Sequence, residues 1–306
     1  MMKILIATEK PFAHEAVEGV KNVADIAGYD LVLLEKYTDK AQLIEAVSDV
    51  DAMIIRSDKA DKEVLDAAKK LKVIVRAGAG YDNIDLAAAT ANNIVAMNTP
   101  GQNSNAVAEL ALGMMVMAAR NMYNGKSGSE LKDKTLGIHA YGNVGKLVAK
   151  IAQGFGMEVF AFDPFVNKDV IEADGVKVVE TQEELYSTCQ YISLHIPAND
   201  KTKKSIGYDL MKSMPKGGTL INTARKEVID EAGMIKAMEE RDDLKYVSDI
   251  APDTKDDFSA KFVDRVFFSP KKMGAQTGEA NVNAGIAAAK QIVNFLENGD
   301  DTFKVN

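Results

Sequence analysis

The 306-residue sequence contains a single cysteine, Cys189, which excludes internal disulfides and cysteine-rich zinc sites. Its histidines number only three, His14, His139 and His195, and this restricts the imidazole chemistry open to it. Basic charge is also short. Lys and Arg total 37 against 45 Asp and Glu, a formal charge of −8, so no broad basic face for nucleic acid or anionic lipid is expected. Any anionic ligand must be met by a few local cations. There is no signal-like or long apolar segment, and with the low cysteine content this reads as a cytoplasmic protein with no membrane span. Nor is there a short-period repeat or low-complexity stretch. What remains is ordinary: 46% hydrophobic and 27% charged residues are globular averages. The length exceeds the roughly 100–200 residues of one domain, so two are expected.

The elements alternate. Lys3–Ala7 reads as a buried strand broken by Thr8-Glu-Lys-Pro11, then a helix over about Ala13–Ala27, a strand Asp30–Leu34, a helix Lys40–Val47 and a strand Ala52–Arg56. A helix Lys62–Lys70 and a strand Val73–Val75 complete one α/β unit. From Asn103 to about Asn121 the pattern is a long Ala/Leu/Met-rich helix suited to joining two lobes. A second series follows: strands Thr135–His139, Glu158–Phe162, Tyr191–His195, Gly218–Asn222 and Tyr246–Asp249, with a helix Val144–Phe155 and a short run Val266–Phe268. The tail, Ala280–Leu296, is an Ala-rich helix too short to be a domain, and it is expected to pack on the first unit. Strands alternating with helices give doubly wound parallel sheets of the Rossmann kind.

Ala140-Tyr-Gly-Asn-Val-Gly145 sits between a predicted strand and helix, and Asp163 ends the next strand 21 positions after Gly142. This is a dinucleotide fingerprint. Gly142, Asn143, Val144 and Gly145 would bring backbone and a helix N-terminus to a pyrophosphate, and Asp163 would accept from a ribose 2′-OH. Ala140 replaces the first glycine, so the turn must tolerate a Cβ. Pro164 and Phe165 follow Asp163 with no arginine beside it, which favours NAD over NADP.

Arginines number six, and three of them, Arg56, Arg76 and Arg225, stand at or just beyond the C-terminal end of a predicted strand, the edge where open α/β sheets bind ligands. Arg225 could clamp a carboxylate or pair with Glu227. Arg76 leads into Ala77-Gly-Ala-Gly80, which serves either as an anion-binding nest or as a tight connection. Arg56-Ser57 would suit a second anion such as phosphate.

Together with Arg76–Asp85, Asn98–Leu110, Ser193-Leu-His-Ile-Pro197 with Thr202, Asn222-Thr-Ala-Arg225 and Gly274–Ala280, these motifs resemble the D-isomer-specific 2-hydroxyacid dehydrogenase family over nearly the whole chain. The resemblance implies a substrate-binding domain of residues 1–98 and 275–306, an inserted NAD-binding domain of 99–274, and a dimer joined through the latter. It places Ala79 and Gly80 at a substrate carboxylate, Asn103 near the substrate, and Arg225 on the carboxylate and carbonyl. Thr223, Ala224, Asp249 and Gly274 would line the nicotinamide end of the cofactor. His195, Ile196, Pro197 and Thr202 would line the adenosine and ribose, so His195 reads as structural or cofactor-lining. His14 on a helix and His139 inside a strand have structural readings.

Two departures bear on mechanism. The family places an acid/base histidine two residues before the glycine matched by Gly274, where this chain has Lys272. It also carries a glutamate after the aspartate matched by Asp249, paired with that histidine; here Thr254 falls at the usual spacing, beside Asp253. A carboxylate keeps a histidine protonated, but would push a lysine, already near pKa 10.4, away from use as a base. Arg225, Lys271 and partial burial are expected to lower the Lys272 pKa. The resemblance thus implies an oxidoreductase passing a hydride between C2 of a small D-2-hydroxy acid and NAD, with Lys272 as acid/base. D-3-phosphoglycerate, oxidised to 3-phosphohydroxypyruvate as the first step of serine synthesis, is the preferred substrate. Hydroxypyruvate or glyoxylate reduction is the alternative, and a non-catalytic NAD-sensing homologue a third. The chain ends soon after its last helix, so an appended regulatory domain is not expected.

Overall fold

A computed structural model describes residues 1–306. In chain order its elements are β1 (Lys3–Thr8), α1 (His14–Ala27), β2 (Asp30–Glu35), α2 (Lys40–Val47), β3 (Ala52–Ile55), α3 (Lys62–Ala67), β4 (Val73–Arg76), α4 (Leu86–Ala91) and β5 (Val95–Asn98). There follow α5 (Ser104–Ala119), β6 (Thr135–His139), α6 (Asn143–Gly154), β7 (Glu158–Phe162), α7 (Lys168–Ala173), β8 (Lys177–Val178), α8 (Gln182–Thr188) and β9 (Tyr191–Leu194). The last are α9 (Tyr208–Ser213), β10 (Thr219–Asn222), α10 (Glu231–Glu240), β11 (Lys245–Ser248), α11 (Lys255–Lys261), β12 (Val266–Phe268) and α12 (Gly278–Asn298).

The chain divides into two compact units, Met1–Asn103 with Gln276–Asn306, and Ser104–Ala275. Residues 99–103 therefore sit with the first unit rather than the second, and Ala275 with the second. The helix expected from Asn103 to Asn121 is the shorter α5, and the boundary falls at its first residue.

In the first unit the parallel sheet runs β2-β1-β3-β4-β5. Ile4, Leu5, Ile6 and Ala7 of the interior strand β1 are fully buried, because helices cover both faces of a parallel sheet. Each large aliphatic side chain so buried contributes about 1.5–3 kcal/mol. Aspartates cap the helices on one side: Asp39, Asp61 and Asp85 accept N–H bonds at the starts of α2, α3 and α4. On the other side α12 packs on α1, where Ala284, Ala288, Ala289 and Ile292 share a core with Ala16, Val20 and Ala24. Small residues let these helices close together: a Cβ on Gly19 would lie 2.6 Å from Ile286.

In the second unit all seven strands are parallel, in the order β12-β11-β10-β9-β6-β7-β8. The order reverses between β6 and β9, which makes the C-terminal edge of those strands the ligand-binding crevice of such a sheet. One face carries α5 and α6 over Leu136, Ile138 and Val159. The other carries α8, α9 and α10 over Ile192, Leu194 and Leu220.

Candidate active site

The dinucleotide turn links β6 to α6. Gly142 is the N-cap of α6, with no side chain capping it, and a Cβ there would meet nothing within 4 Å. The turn thus offers unpartnered N–H groups of a helix terminus at an open surface, which suits a pyrophosphate. Gly145 is needed for a different reason: a Cβ would fall 2.4 Å from the carbonyl oxygen of Ala140. Asn143 is exposed and Val144 half-buried in the first turn of the helix. Ala140 has φ +82°, a left-handed conformation that strains an L-residue by roughly 1–2 kcal/mol. The sequence shows that a Cβ is present at this position; only the structure shows that it is tolerated under strain.

Asp163 accepts from Tyr141 N–H at 2.7 Å through Oδ2 and from Phe165 N–H at 2.8 Å through Oδ1. A carboxylate has about four acceptor sites, so lone pairs remain for a ribose diol. Farther along the edge, Ile196 is buried, Pro197 is exposed, and Thr202 Oγ1 donates to the Pro197 carbonyl at 2.5 Å. His195 Nε2 is buried without a partner, and burial drives the ring's pKa down to about 3. His139, behind it, is pushed down to about 4 by burial, with its Nδ1 3.5 Å from Tyr186 Oη. Rings held this far down are weak bases that do not keep a proton at physiological pH, so neither is well matched to proton transfer.

The loop after β10 gathers the reactive groups. Asn222 is fully buried and folds this loop: its Oδ1 accepts from Ala224 N–H and its Nδ2 donates to the Arg225 carbonyl, both at 2.9 Å. Nothing in the local sequence marks Asn222 for this. Arg225 Nη1 donates to the Ala224 carbonyl at 2.9 Å instead of pairing with Glu227. Lys272 Nζ donates to the same oxygen, approaches the Thr223 carbonyl at 3.4 Å, and lies 3.9 Å from Asp249 Oδ1. Asp249 is fully buried; its Oδ2 accepts from Gly274 N–H at 2.8 Å, and its Oδ1 has no hydrogen-bond donor. A Cβ on Gly274 would fall 2.9 Å from Asp249 Oδ2, so a side chain there would displace the buried carboxylate. Thr223 Oγ1 is a second buried, unpartnered atom here. Such orphans fit a polar group such as a carboxamide or ribose hydroxyl.

The Lys272 pKa is lowered, first by burial and also by Arg225, while Asp249 and Glu227 oppose the shift. Lys271, expected to help, is exposed and contributes nothing. No acid stands in for the missing glutamate. Thr254 is tied instead to the start of α10, donating to Glu231 Oε2 at 2.6 Å, and exposed Asp253 pairs with Lys226. The carboxylate that faces the lysine is Asp249.

On the first unit, Gly78 has φ +148°, and a Cβ there would lie 1.6 Å from Arg76 Nη1, so the guanidinium lies across the glycine backbone. Arg76 Nε donates to the Arg56 carbonyl at 2.9 Å, and Asn98 Nδ2 to the Ala79 carbonyl at 2.6 Å. Ala79 is exposed; Gly80 and Asn103 are half-buried. Arg56 is not idle: its Nη2 donates to Asn281 Oδ1 at 2.8 Å, its Nη1 reaches the Pro11 carbonyl at 3.5 Å, and it stacks over Phe12. Ser57 beside it is exposed. Buried Asp58, missed from sequence, shapes this loop by accepting from Tyr37 Oη at 2.8 Å and Glu9 N–H at 2.7 Å.

A doubly wound sheet with a dinucleotide turn, an acid at the end of the next strand, and a cationic loop after β10 defines a nucleotide-dependent dehydrogenase. Residues 106–270, more than half of the chain, match the family described as D-isomer specific 2-hydroxyacid dehydrogenase, NAD binding domain. The chain belongs to this family, and its second unit is the family's NAD-binding domain. It is 50% identical to a solved structure of NAD+-bound 3-phosphoglycerate dehydrogenase from Entamoeba histolytica, covering 100% of this chain and 98% of that one with a TM-score of 0.88. It is 34% identical to D-3-phosphoglycerate dehydrogenase of Methanocaldococcus jannaschii over 97% of this chain and 58% of the relative. It is also 31% identical to hydroxypyruvate reductase of Thermotoga maritima, over 97% of this chain and 99% of the relative. The chain thus spans little more than half the length of some curated relatives. No helix is long and apolar enough to cross a membrane.

Proposed function

We propose that this chain oxidises D-3-phosphoglycerate to 3-phosphohydroxypyruvate. The observation that carries the reading is the convergence of Lys272 and Arg225 on the Ala224 carbonyl, beside the buried unpartnered atoms of Asp249 and Thr223. NAD, when bound, supplies the acceptor for the hydride leaving C2. Lys272 in its neutral form takes the proton of the C2 hydroxyl, and the burial that lowers its pKa favours that form. Arg225 holds the substrate carboxylate and stabilises charge developing on the C2 oxygen. On the first unit, backbone N–H groups of Ala79 and Gly80 are assigned to a substrate carboxylate, with Asn103 a further substrate contact. Thr223, Ala224, Asp249 and Gly274 line the nicotinamide end. Gly142, Asn143, Val144 and Gly145 hold the pyrophosphate, and Asp163, His195, Ile196, Pro197 and Thr202 hold the adenosine. A homodimer through the NAD-binding domain, in the cytoplasm, completes the reading.

Arg56 and Ser57 are assigned to the substrate phosphate, and Arg56→Ala tests this. The Michaelis constant for phosphoglycerate should rise by about 10–100-fold, the value of a charged hydrogen bond, with hydroxypyruvate kinetics unchanged. The engagement of Arg56 by Asn281 and Pro11, together with the likeness to the T. maritima relative, favours hydroxypyruvate reduction as the second reading. An unchanged constant for phosphoglycerate would select it.

A further inference from the structure

The dinucleotide turn contains an anomaly that its own sequence does not explain. Where a glycine would take a left-handed conformation freely, Ala140 takes φ +82° with a Cβ. Such a conformation persists only when its surroundings over-determine it. On its N-terminal side, Ala140 N–H donates to the Phe162 carbonyl at 2.9 Å, which fixes the end of β6 against β7. On its C-terminal side stands Tyr141, completely buried, bonded at both ends. Its N–H donates to Asp163 Oδ2 at 2.7 Å, and its hydroxyl donates to Asp174 Oδ2 at 3.0 Å. Asp174 is the exposed C-cap of α7, and its carbonyl is held in turn by Gln153 of α6 at 2.8 Å. The side chain of Tyr141 therefore ties the turn to the C-cap of α7, which α6 holds in turn, while its backbone ties the turn to the carboxylate assigned to the ribose.

We propose that Tyr141 is a positioning residue for the dinucleotide site, holding Ala140 in its left-handed conformation and Asp163 in its orientation through the tether to Asp174. The inference rests on the NAD reading above. Its physical content is a coupling: the tether is required because position 140 is alanine, and it becomes dispensable when that position is glycine. A glycine adopts the same φ without strain, so the turn then holds its shape without help.

The test is a double-mutant cycle in the full chain with Tyr141→Phe and Ala140→Gly, read by fluorescence titration of NADH and by melting temperature without ligand. Tyr141→Phe should raise the NADH dissociation constant about threefold to tenfold, the range of one lost hydrogen bond. It should raise the Michaelis constant for NAD similarly and leave kcat within about twofold. Adding Ala140→Gly should restore NADH binding to within about twofold of the Ala140→Gly protein. Asp174→Ala breaks the same tether from an exposed position that leaves no cavity, so it should reproduce Tyr141→Phe even if that variant folds poorly. Wild-type affinity in both tether variants would overturn the proposal. So would a double variant as weak as Tyr141→Phe alone, since Tyr141 would then serve only general packing. A wild-type protein that binds no NADH would defeat the cofactor reading instead. The coupling is then judged on melting temperature, where Tyr141→Phe must lower the value less in the glycine background than in the alanine one; equal losses overturn it.

Discussion

Lys272 and Arg225 donate to one and the same acceptor, the carbonyl oxygen of Ala224. Burial lowers the lysine pKa, and the repulsion between two cations drawn to one backbone oxygen adds to that shift. On the proposed mechanism the neutral amine is the working form in the oxidative direction, so kcat should rise with pH through a value below the ordinary lysine pKa. In the reductive direction the ammonium is needed, and the rate should fall across the same range. Lys272→Ala should reduce kcat by about 10²–10⁴ and leave NADH affinity within about twofold. Steady-state kinetics from pH 7 to 10.5 check this; a pH-independent rate in both directions would remove Lys272 from proton transfer.

Asp249 acts against this arrangement, because its carboxylate 3.9 Å from the ammonium favours the charged form. Asp249→Asn keeps an acceptor for Gly274 N–H and removes the charge. The rising limb of the oxidative pH profile should therefore move to lower pH, most visibly in single-turnover rates. A shift to higher pH would mean that the carboxylate does not face the amine in the working enzyme.

Local patterns carried ten of the twelve strands, though not β5 or the two-residue β8, together with the glycine turn and Asp163 at the end of β7, since each is written in a short window of spacing and hydrophobicity. Lys272 was visible by its register to Gly274. What the sequence concealed lies between distant positions. Arg56 is held by Asn281, 225 residues away in the chain. Thr254, at the spacing of the family glutamate, is drawn off by Glu231, and the acid near Lys272 is Asp249. Ala140 shows the same limit in one residue: its left-handed backbone, bonded through its N–H to the Phe162 carbonyl, is not written in its own side chain.

Gly78 should not accept a side chain. Its φ of +148° strains any L-residue, and a Cβ would collide with the Arg76 guanidinium at 1.6 Å. Gly78→Ala should destabilise the protein by about 1–3 kcal/mol in chemical denaturation. In an Arg76→Ala background the collision disappears and only the backbone part of the loss should remain. An equal loss in both backgrounds would show that the guanidinium moves aside at no cost.

The two buried histidines make stability depend on acid in a definite direction. Unfolded histidine titrates near 6.5, whereas burial holds His139 at about 4 and His195 at about 3. Above about pH 7.5, a unit beyond the unfolded value, both are neutral in either state, and they impose no slope. As pH falls below that value the unfolded chain binds protons that the folded chain refuses, so stability is lost down to the folded pKa values. Each group should contribute a slope approaching about 1.4 kcal/mol per pH unit inside its window. Carboxylates held low by basic partners, such as Asp49 and Asp243 at about 2, titrate largely below pH 5 in either state. Urea denaturation at intervals between pH 5 and 6.5 therefore isolates the imidazoles. His139→Phe should flatten the slope by about half, and an unchanged slope would mean that the ring becomes charged inside the folded protein.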